Sequence, residues 1–297
     1  MPTYKHIFFI ALLTLGIAHA QAQHSDTLGV GYDDMRTATH ANPERAKAFS
    51  SRQWTTTTLR SHYISMGYTD MLDTYLSPES YCGLELRYTY DREMKMRKPR
   101  WTAYDQIEMQ LQGGRNRADN ANTLGGMLRV RSGALYQWQL LDDRLTLRAG
   151  GGADIELGFL YNTRNQNNPA QLRLAINIEP RVQASYRFHI KGKTYYLRYD
   201  AMVPLLGVRF SPNYGQSYYE IFTRGNYDHN IVPTTIIATP SLRQQLTVDF
   251  YVGPMQMSIG YLGDCQQADI NQLKSHSYSH MVVVGFRKLL TVTRSRP

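Results

Sequence analysis

Cysteine is nearly absent from this chain, at 2 of 297 residues. So few cysteines exclude a fold held together by a network of disulfides. Long apolar runs are also missing beyond the N-terminus. No later stretch approaches the about 18 uninterrupted apolar residues of a transmembrane helix, so none is expected. Tyrosine, by contrast, is abundant, at 22 residues. Tyrosine is favoured in β-strands and at membrane interfaces.

The first 22 residues have the pattern of an export signal. Lys5 gives a positive start, residues 7–18 form an apolar core, and the alanines at 18, 20 and 22 fit two cleavage sites. The mature chain would begin at Gln21 or Gln23, without the cysteine of a lipoprotein. A membrane anchor is the alternative, but the apolar run is too short to span a bilayer. The net charge of +9 in an exported chain points to anionic lipid headgroups rather than to nucleic acid.

Residues 171–189 decide the fold class. Every even position from Leu172 to Phe188 is apolar, whereas most odd positions are polar or charged. Successive strand side chains point to opposite faces, so this strand has one apolar and one charged face. Mean strands in soluble proteins are about 5–6 residues long, whereas a transmembrane strand needs about 9–11 residues and can continue beyond the bilayer. The pattern therefore predicts an all-β transmembrane, antiparallel, up-and-down β-barrel.

The same alternation recurs from Leu59 to Phe286, and the connections alternate in length. Short turns fall at 142–143, 191–193 and 253–254, and long polar loops are predicted at 113–125, 162–170, 211–240 and 263–276. Outer-membrane barrels have short periplasmic turns and longer extracellular loops. The count is ten strands with both termini periplasmic. Twelve strands remain the alternative if 218–240 contains another hairpin, although Pro233 and Pro240 oppose that, because proline cannot donate to a strand ladder.

This pattern divides the chain into a signal peptide (1–22), an N-terminal lead or plug (23–58), the barrel (59–290) and a C-terminal tail (291–297). Residues 42–47 in the lead resemble a capped helical turn, with Asn42 as the cap. In the barrel, Pro180 and Pro204 are each 12 residues from Gly192. They should therefore lie opposite one another on neighbouring strands.

From about residue 66 onward, four segments carry a family resemblance: residues 72–78 (LDTYLSP), 158–165 (GFLYNTRN), 210–220 (FSPNYGQSYYE) and 224–230 (RGNYDHN). In these segments the chain resembles an uncharacterised family of Bacteroidota outer-membrane β-barrel proteins, catalogued as a domain of unknown function. The resemblance implies a barrel and an outer-membrane location. It supplies no catalytic residues.

The inward face of the predicted barrel is dense in charges of both signs. They include Glu85 and Arg87 and a predicted lumen network of Arg129, Arg131, Arg148, Asp154, Glu156, Arg173, Glu179, Arg181, Arg198 and Asp200. Barrels near eight strands have interiors filled by side chains, whereas water-filled channels appear at about 16 strands. We expect these groups to neutralise one another and fill the lumen. A narrow selective pore is the alternative.

The longest predicted loop, 211–240, is the candidate recognition surface, because loops longer than about 12–15 residues are usually functional or disordered. We expect it to fold as a compact cap, with aromatic groups packed inward and a polar tip at 226–230 that meets an extracellular glycan or protein. A cap that only closes the barrel mouth is the alternative. The candidate residues are Asn213, Tyr214, Tyr218, Tyr219, Asn226, Tyr227, Asp228, His229 and Asn230.

The sequence contains few residues that are spaced like a catalytic site. The predicted outer rim offers Asp228, His229, His276 and His280, and the serines Ser211, Ser217, Ser277 and Ser279. No spacing fixes a nucleophile beside a base, and His276 and His280 lack a suitably spaced third metal ligand. No catalytic, cofactor or metal residue is therefore predicted.

Cys82 and Cys265 lie three strands apart, which favours two free thiols. The sequence favours a surface-interaction or envelope-structural protein, with a rim-active hydrolase (protease or phospholipase type) as the alternative.

Overall fold

The computed structural model describes residues 54–96, 98, 100–165 and 168–294. The barrel lies in one compact unit, Thr56–Val292. The predicted signal peptide, the helical turn at 42–47 and the end of the predicted tail lie outside the described residues. The described elements are β1 (Trp54–Asp73), β2 (Ser77–Lys95), β3 (Trp101–Asn116), β4 (Asn122–Leu140), β5 (Leu145–Asn162), β6 (Ala170–Ile190), β7 (Lys193–Met202), β8 (Leu206–Phe210), α1 (Tyr218–Phe222), β9 (Ile231–Thr235), β10 (Leu242–Val252), β11 (Met255–Ile270) and β12 (Leu273–Arg294).

Ten of these strands close into an antiparallel barrel. Consecutive strands pair from β1 to β7, β7 pairs with β10, and β12 returns to pair with β1. The two extra strands, β8 and β9, form a short hairpin that adds to the outer half of β6. The ten-strand prediction is therefore confirmed. In the half of the barrel nearer the short turns, every described strand is paired on both sides, so no strand edge is free.

The distribution of apolar and polar side chains is the reverse of that in a soluble protein. Outward positions carry exposed apolar groups, such as Met66, Leu84 and Val282, whereas buried inward positions carry arginines, carboxylates, amides and hydroxyls. On β6 the even residues point outward and the odd residues inward, as the alternation predicts. This is the face pattern of a barrel that spans a membrane.

Aromatic side chains gather on the outer wall near the short-turn end. Tyr136 packs edge-on against Trp101 and Trp138, with ring centroids 5.4 and 4.8 Å apart. Phe188 and Tyr195 stack on neighbouring strands at 5.7 Å. Rings of this kind form the girdles that mark the membrane interfaces of outer-membrane barrels.

Beside β6, the barrel wall is bulged at the prolines. Arg181 pairs with Met202, but Ile178 pairs with Leu206, so one extra residue lies between β7 and β8. That bulge contains Pro204, and the amide of Val203 donates to the carbonyl of Pro180 at 3.2 Å. The two prolines therefore lie at the same height on neighbouring strands, where a bulge accommodates their missing N–H groups.

The predicted loop at 263–276 is wrong. β11 continues to Ile270 and β12 begins at Leu273, so only Asn271 and Gln272 form the turn, with φ of 53° and 62°. The strands here carry polar residues on both faces. The apolar alternation therefore disappears although the backbone pairing continues. The loop predicted at 113–125 shortens to 117–121 for the same reason.

The predicted loop at 211–240 is only partly correct, because it contains β9. Pro233 lies within β9, opposite Val208 of β8. The argument from proline fails here because β9 pairs on one side only, and an edge strand tolerates a residue that cannot donate. The irregular part of this connection is therefore 211–230, with α1 near its centre.

Candidate functional site

Glu108 is the centre of the lumen. Its carboxylate is fully buried and accepts hydrogen bonds from Arg87 at 3.2 Å, from Arg129 at 2.9 Å and from Arg243. Arg131 is a fourth guanidinium within ion-pair distance, at 3.8 Å. In the central part of β3, Ile107 and Met109 point outward, so the residue between them must point inward. The position of Glu108 could therefore have been read from the sequence, although its partners could not.

A second carboxylate, Asp264 of β11, shares two of these arginines. Its Oδ2 lies 2.6 Å from Arg87 Nη1 and 3.4 Å from Arg129 Nη1. Arg87 also binds Glu85 on its own strand at 2.5 Å, and Arg129 binds Glu156 on β5 at 3.0 Å. The two pairs with Asp264 join β11 to β2 and to β4, which are not its neighbours in the barrel. The network therefore crosses the lumen rather than following one wall.

A second layer of pairs lies nearer the short-turn end. Arg181 bridges Asp91 at 2.9 Å and Asp200 at 2.6 Å, and its guanidinium carbon lies 4.5 Å from the centre of the Tyr104 ring. Closer to the short turns, Arg148 binds Glu93 at 2.8 Å. On the facing wall, Arg198 and Arg287 share Asp249, at 2.9 and 3.5 Å.

The structure brings all ten residues of the predicted lumen network into the lumen, each in an ion pair. The predicted network lacked eight further members of these ion pairs: Asp73, Asp91, Glu93, Glu108, Arg243, Asp249, Asp264 and Arg287. Asp264 was missed because 263–276 was assigned to a loop. Glu108 was missed because the alternation in β3 is interrupted outside its central residues.

These side chains fill the lumen. The cavities in its middle have volumes of about 20 and about 30 Å³, which is room for one or two waters. Tyr104 also crosses the interior and is 1% exposed. Its register partner on β4 is Gly133, where a Cβ would lie 2.3 Å from the carbonyl oxygen of Gly151 on β5.

The outer-rim segment 211–230 is folded, with its own hydrogen bonds. Its two ends are joined, because the amide of Ser211 donates to the carbonyl of Asn230 at 2.9 Å. The side chain of Asn230 is buried and donates to Ser211 O and Gln216 Oε1, and Asn213 donates to the carbonyl of Asp228. A capping box between Ser217 and Glu220 begins α1. Asn230 is therefore structural rather than available to a ligand.

Tyr218 attaches the segment to the barrel wall. Its hydroxyl accepts from the amide of Leu172 at 2.6 Å and donates to Gln171 Oε1 at 2.9 Å, and its ring stacks on Phe222 at 5.8 Å. Burial raises the pKa of Tyr218 to about 12, so the phenol stays protonated at physiological pH. These contacts join the segment to the start of β6.

The other aromatic groups do not pack inward as expected. Tyr214 is 72% exposed, and Tyr219, Phe222 and Tyr227 are also exposed. Asp228 and His229 form an exposed pair, with Oδ1 and Nδ1 2.7 Å apart. The loop was expected to bury its aromatics under a polar tip. Most of its aromatic faces instead face outward, and the hydrogen bonds of amide side chains and backbone hold the fold.

The rim histidines and serines do not combine into a catalytic group. On β12, Ser277 and Ser279 point into the lumen and bind Gln112 and Glu85, whereas even-numbered His276 and His280 point outward. His276 lies 3.7 Å from Asp70, and His280 Nδ1 lies 2.5 Å from the hydroxyl of Tyr261. Among the described residues, no hydrogen bond joins a serine to a histidine.

Within the described part of the chain, no group of three or more His, Cys, Asp or Glu side chains is arranged to hold a metal ion. Cys82 and Cys265 are free thiols. No helix among the described residues combines the length and the apolar character needed to cross a membrane.

A family model described as "protein of unknown function (DUF3316)" matches residues 7–297. The chain belongs to this family. The match covers nearly the whole sequence, in agreement with the resemblance carried by the four segments between 72 and 230. No curated protein matches the chain.

Solved outer-membrane proteins have a similar fold. The transport unit of the autotransporter AIDA-I from Escherichia coli is 7% identical, with a TM-score of 0.42 over 80% of this chain and 90% of that chain. The outer membrane protease OmpT from Escherichia coli is 6% identical, with a TM-score of 0.40 over 80% and 96%. The attachment invasion locus protein Ail of Yersinia pestis is 13% identical, with a TM-score of 0.26 over 78% and 99%. At these values the similarities carry no inference about activity or partners.

Proposed function

We propose that this protein is an outer-membrane β-barrel with a closed lumen that acts at the cell surface, in recognition or in envelope structure, through the segment 211–230. The outward apolar face and the inward charges support the membrane location, since only a closed barrel can expose strands to lipid without unpaired backbone groups. The observation that carries the surface role is the contrast between a filled lumen and a folded rim segment with exposed tyrosines.

The exposed face of this segment has the composition of a recognition surface. Tyr214, Tyr219 and Tyr227 offer large, rigid contact areas, and Asp228 and His229 add polar groups beside them. Tyrosine suits such contacts because it loses little conformational entropy when it is bound. An extracellular glycan or protein is the partner class that we propose. The short-turn end then faces the periplasm, as in other outer-membrane barrels.

The test removes the segment without disturbing the barrel. Phe210 and Ile231 are register partners at the end of the β8–β9 hairpin, so residues 211–230 can be replaced by Asn-Gly, a pair suited to a two-residue hairpin turn. We expect the shortened barrel to fold and to lose binding to a panel of immobilised glycans and extracellular proteins. A second variant replaces only Tyr214 and Tyr219 by serine and should also lose binding. Unchanged binding by both variants would refute the surface role of this segment.

Planar-bilayer recording separates this proposal from a pore. We expect no stepwise conductance from the wild-type protein, because the central cavities hold only one or two waters. Steady ion-selective conductance that survives removal of 211–230 would favour a narrow pore. The rim-hydrolase alternative would need a nucleophile beside the exposed Asp228–His229 pair, and no hydrogen bond joins this pair to a serine among the described residues.

Export through a cleaved signal peptide in a Gram-negative cell, of Bacteroidota origin by the family resemblance, is part of the same proposal. N-terminal sequencing of the mature protein from outer-membrane fractions should give Gln21 or Gln23 as the first residue. An intact Met1 in a correctly assembled barrel would contradict a cleaved signal.

A further inference from the structure

A separate cavity of about 260 Å³ opens at the short-turn end of the lumen. Three arginines line it, one each from β5, β7 and β12: Arg148, Arg198 and Arg287. Amide and hydroxyl groups complete the wall, among them Gln183, Ser185 and Thr146. None of the described lining residues is acidic. The carboxylates that pair with the arginines, Glu93 and Asp249, belong to the lumen wall and do not line this cavity.

The arginines are held in place but not saturated. Arg148 donates through Nε to Gln137 and through Nη1 to Glu93, at 3.1 and 2.8 Å. Arg198 binds Asp249 through Nη2 at 2.9 Å, while its Nε is buried without a hydrogen-bond partner. A guanidinium has five N–H donors. These two side chains therefore retain donors, and their carboxylate partners fix their positions.

The charge around this cavity favours an anion. The three lining arginines face two paired carboxylates, so the group carries an excess of one positive charge. The surrounding short-turn end adds the basic residues Lys95, Lys98, Arg100, Arg144, Lys191 and Lys193, against the acidic pair Asp142 and Asp143. Fields of one sign around a narrow opening raise the local concentration of the opposite ion.

We infer that this cavity is a binding site for a phosphate group entering from the short-turn end. Planar guanidiniums match the geometry of phosphate oxygens, and arginine is the side chain preferred for such recognition. The volume lies below the about 300–1,000 Å³ of pockets for drug-sized ligands, so it suits a small phosphate compound or a single lipid headgroup. This inference concerns the opposite end of the barrel from segment 211–230 and does not depend on the role of that segment.

The experiment uses the full mature chain folded in detergent micelles, with pyrophosphate as the probe and titration calorimetry at constant ionic strength. We expect saturable binding by the wild-type protein. Arg148→Gln and Arg198→Gln should each weaken it by about tenfold or more, the loss expected for a charged hydrogen bond. Arg144→Gln is the matched control, because it removes the same charge from the same end but does not line the cavity. Equal weakening in this control, or a wild-type protein that binds no pyrophosphate, would overturn the site.

A second variant avoids the risk that loss of an arginine leaves Glu93 or Asp249 unpaired and prevents folding. Ser185→Glu adds a carboxylate to the cavity wall and leaves every arginine in place, so it should abolish binding in a folded barrel. Retained binding in this variant would also overturn the inference. Repeating the titration in nanodiscs identifies the source of the phosphate: competition by phosphatidylglycerol points to a lipid headgroup, and unchanged affinity points to a soluble phosphate compound.

Discussion

Removal of the Glu108 carboxylate is the most direct test of the lumen network. Glu108→Gln keeps the size of the side chain but takes the negative charge away from four arginines. Arg87 and Arg129 would keep Asp264 as a partner, at 2.6 and 3.4 Å, whereas Arg243 has no other carboxylate among its described ion pairs. Leaving a buried charge unpaired costs about 3–5 kcal/mol. We expect the free energy of unfolding to fall by about that amount.

The assay is urea unfolding of the barrel in phospholipid vesicles, followed by tryptophan fluorescence. Asp119→Asn is the control, because Asp119 pairs with Arg115 at a similar distance of 3.0 Å but both side chains are more than 60% exposed. Such surface pairs contribute about 0–1 kcal/mol. Combining Glu108→Gln with Arg243→Gln should cost less than the sum of the single changes, because each group is the other's partner. If Glu108→Gln were as mild as Asp119→Asn, the network would not stabilise the barrel.

Three further predictions concern register, packing and topology. Ile176→Arg places a charge on the lipid-facing wall and should cost about 2–4 kcal/mol, whereas Asn177→Arg points into the lumen and should cost less; equal losses of heat-modifiable gel mobility would contradict the register. Gly285→Ala places a Cβ 2.2 Å from a lumen tyrosine ring and should lower the unfolding free energy by about 1–3 kcal/mol, so an unaffected midpoint would contradict this packing. With both native cysteines changed to serine, Tyr214→Cys should react with an impermeant maleimide on intact cells and Gly192→Cys should not; the reverse would invert the topology.

The sequence predicted the faces of the strands better than their ends. The alternation in β6 identifies the inward and outward residues over 19 positions, because one face must be apolar for lipid and the other can be charged. Beyond the apolar band that constraint ends. The hairpin at Asn271 and Gln272 therefore gave no signal, although β11 and β12 are paired up to it. Pro233 was misleading because an edge strand cannot be distinguished from a central strand by sequence alone.

The partners within the lumen could not be predicted from the sequence. Arg87 and Asp264 are 177 residues apart and lie on β2 and β11, which only the closure of the barrel brings face to face. Alternation identified Arg87 as an inward residue but not Asp264, and the pairing itself depends on the circumference and stagger of the barrel. The prediction for the outer-rim residues was wrong for a different reason. Ser277 and Ser279 were considered beside His276 and His280, although neighbouring residues on one strand point to opposite faces.

The distribution of charge connects the closed lumen with the two ends of the barrel. The described ion pairs of the lumen join nine arginines to eleven carboxylates, so these groups together carry no positive excess. The net charge of +9 must therefore lie outside this network. Charge that is neutralised in the lumen can stabilise the barrel but offers no net field to select an ion that crosses it. Lysines and arginines outside the lumen pairs surround the cavity at the short-turn end, which is why we expect an anion to bind there. The exposed tyrosines of 211–230 offer uncharged contact area at the other end of the barrel.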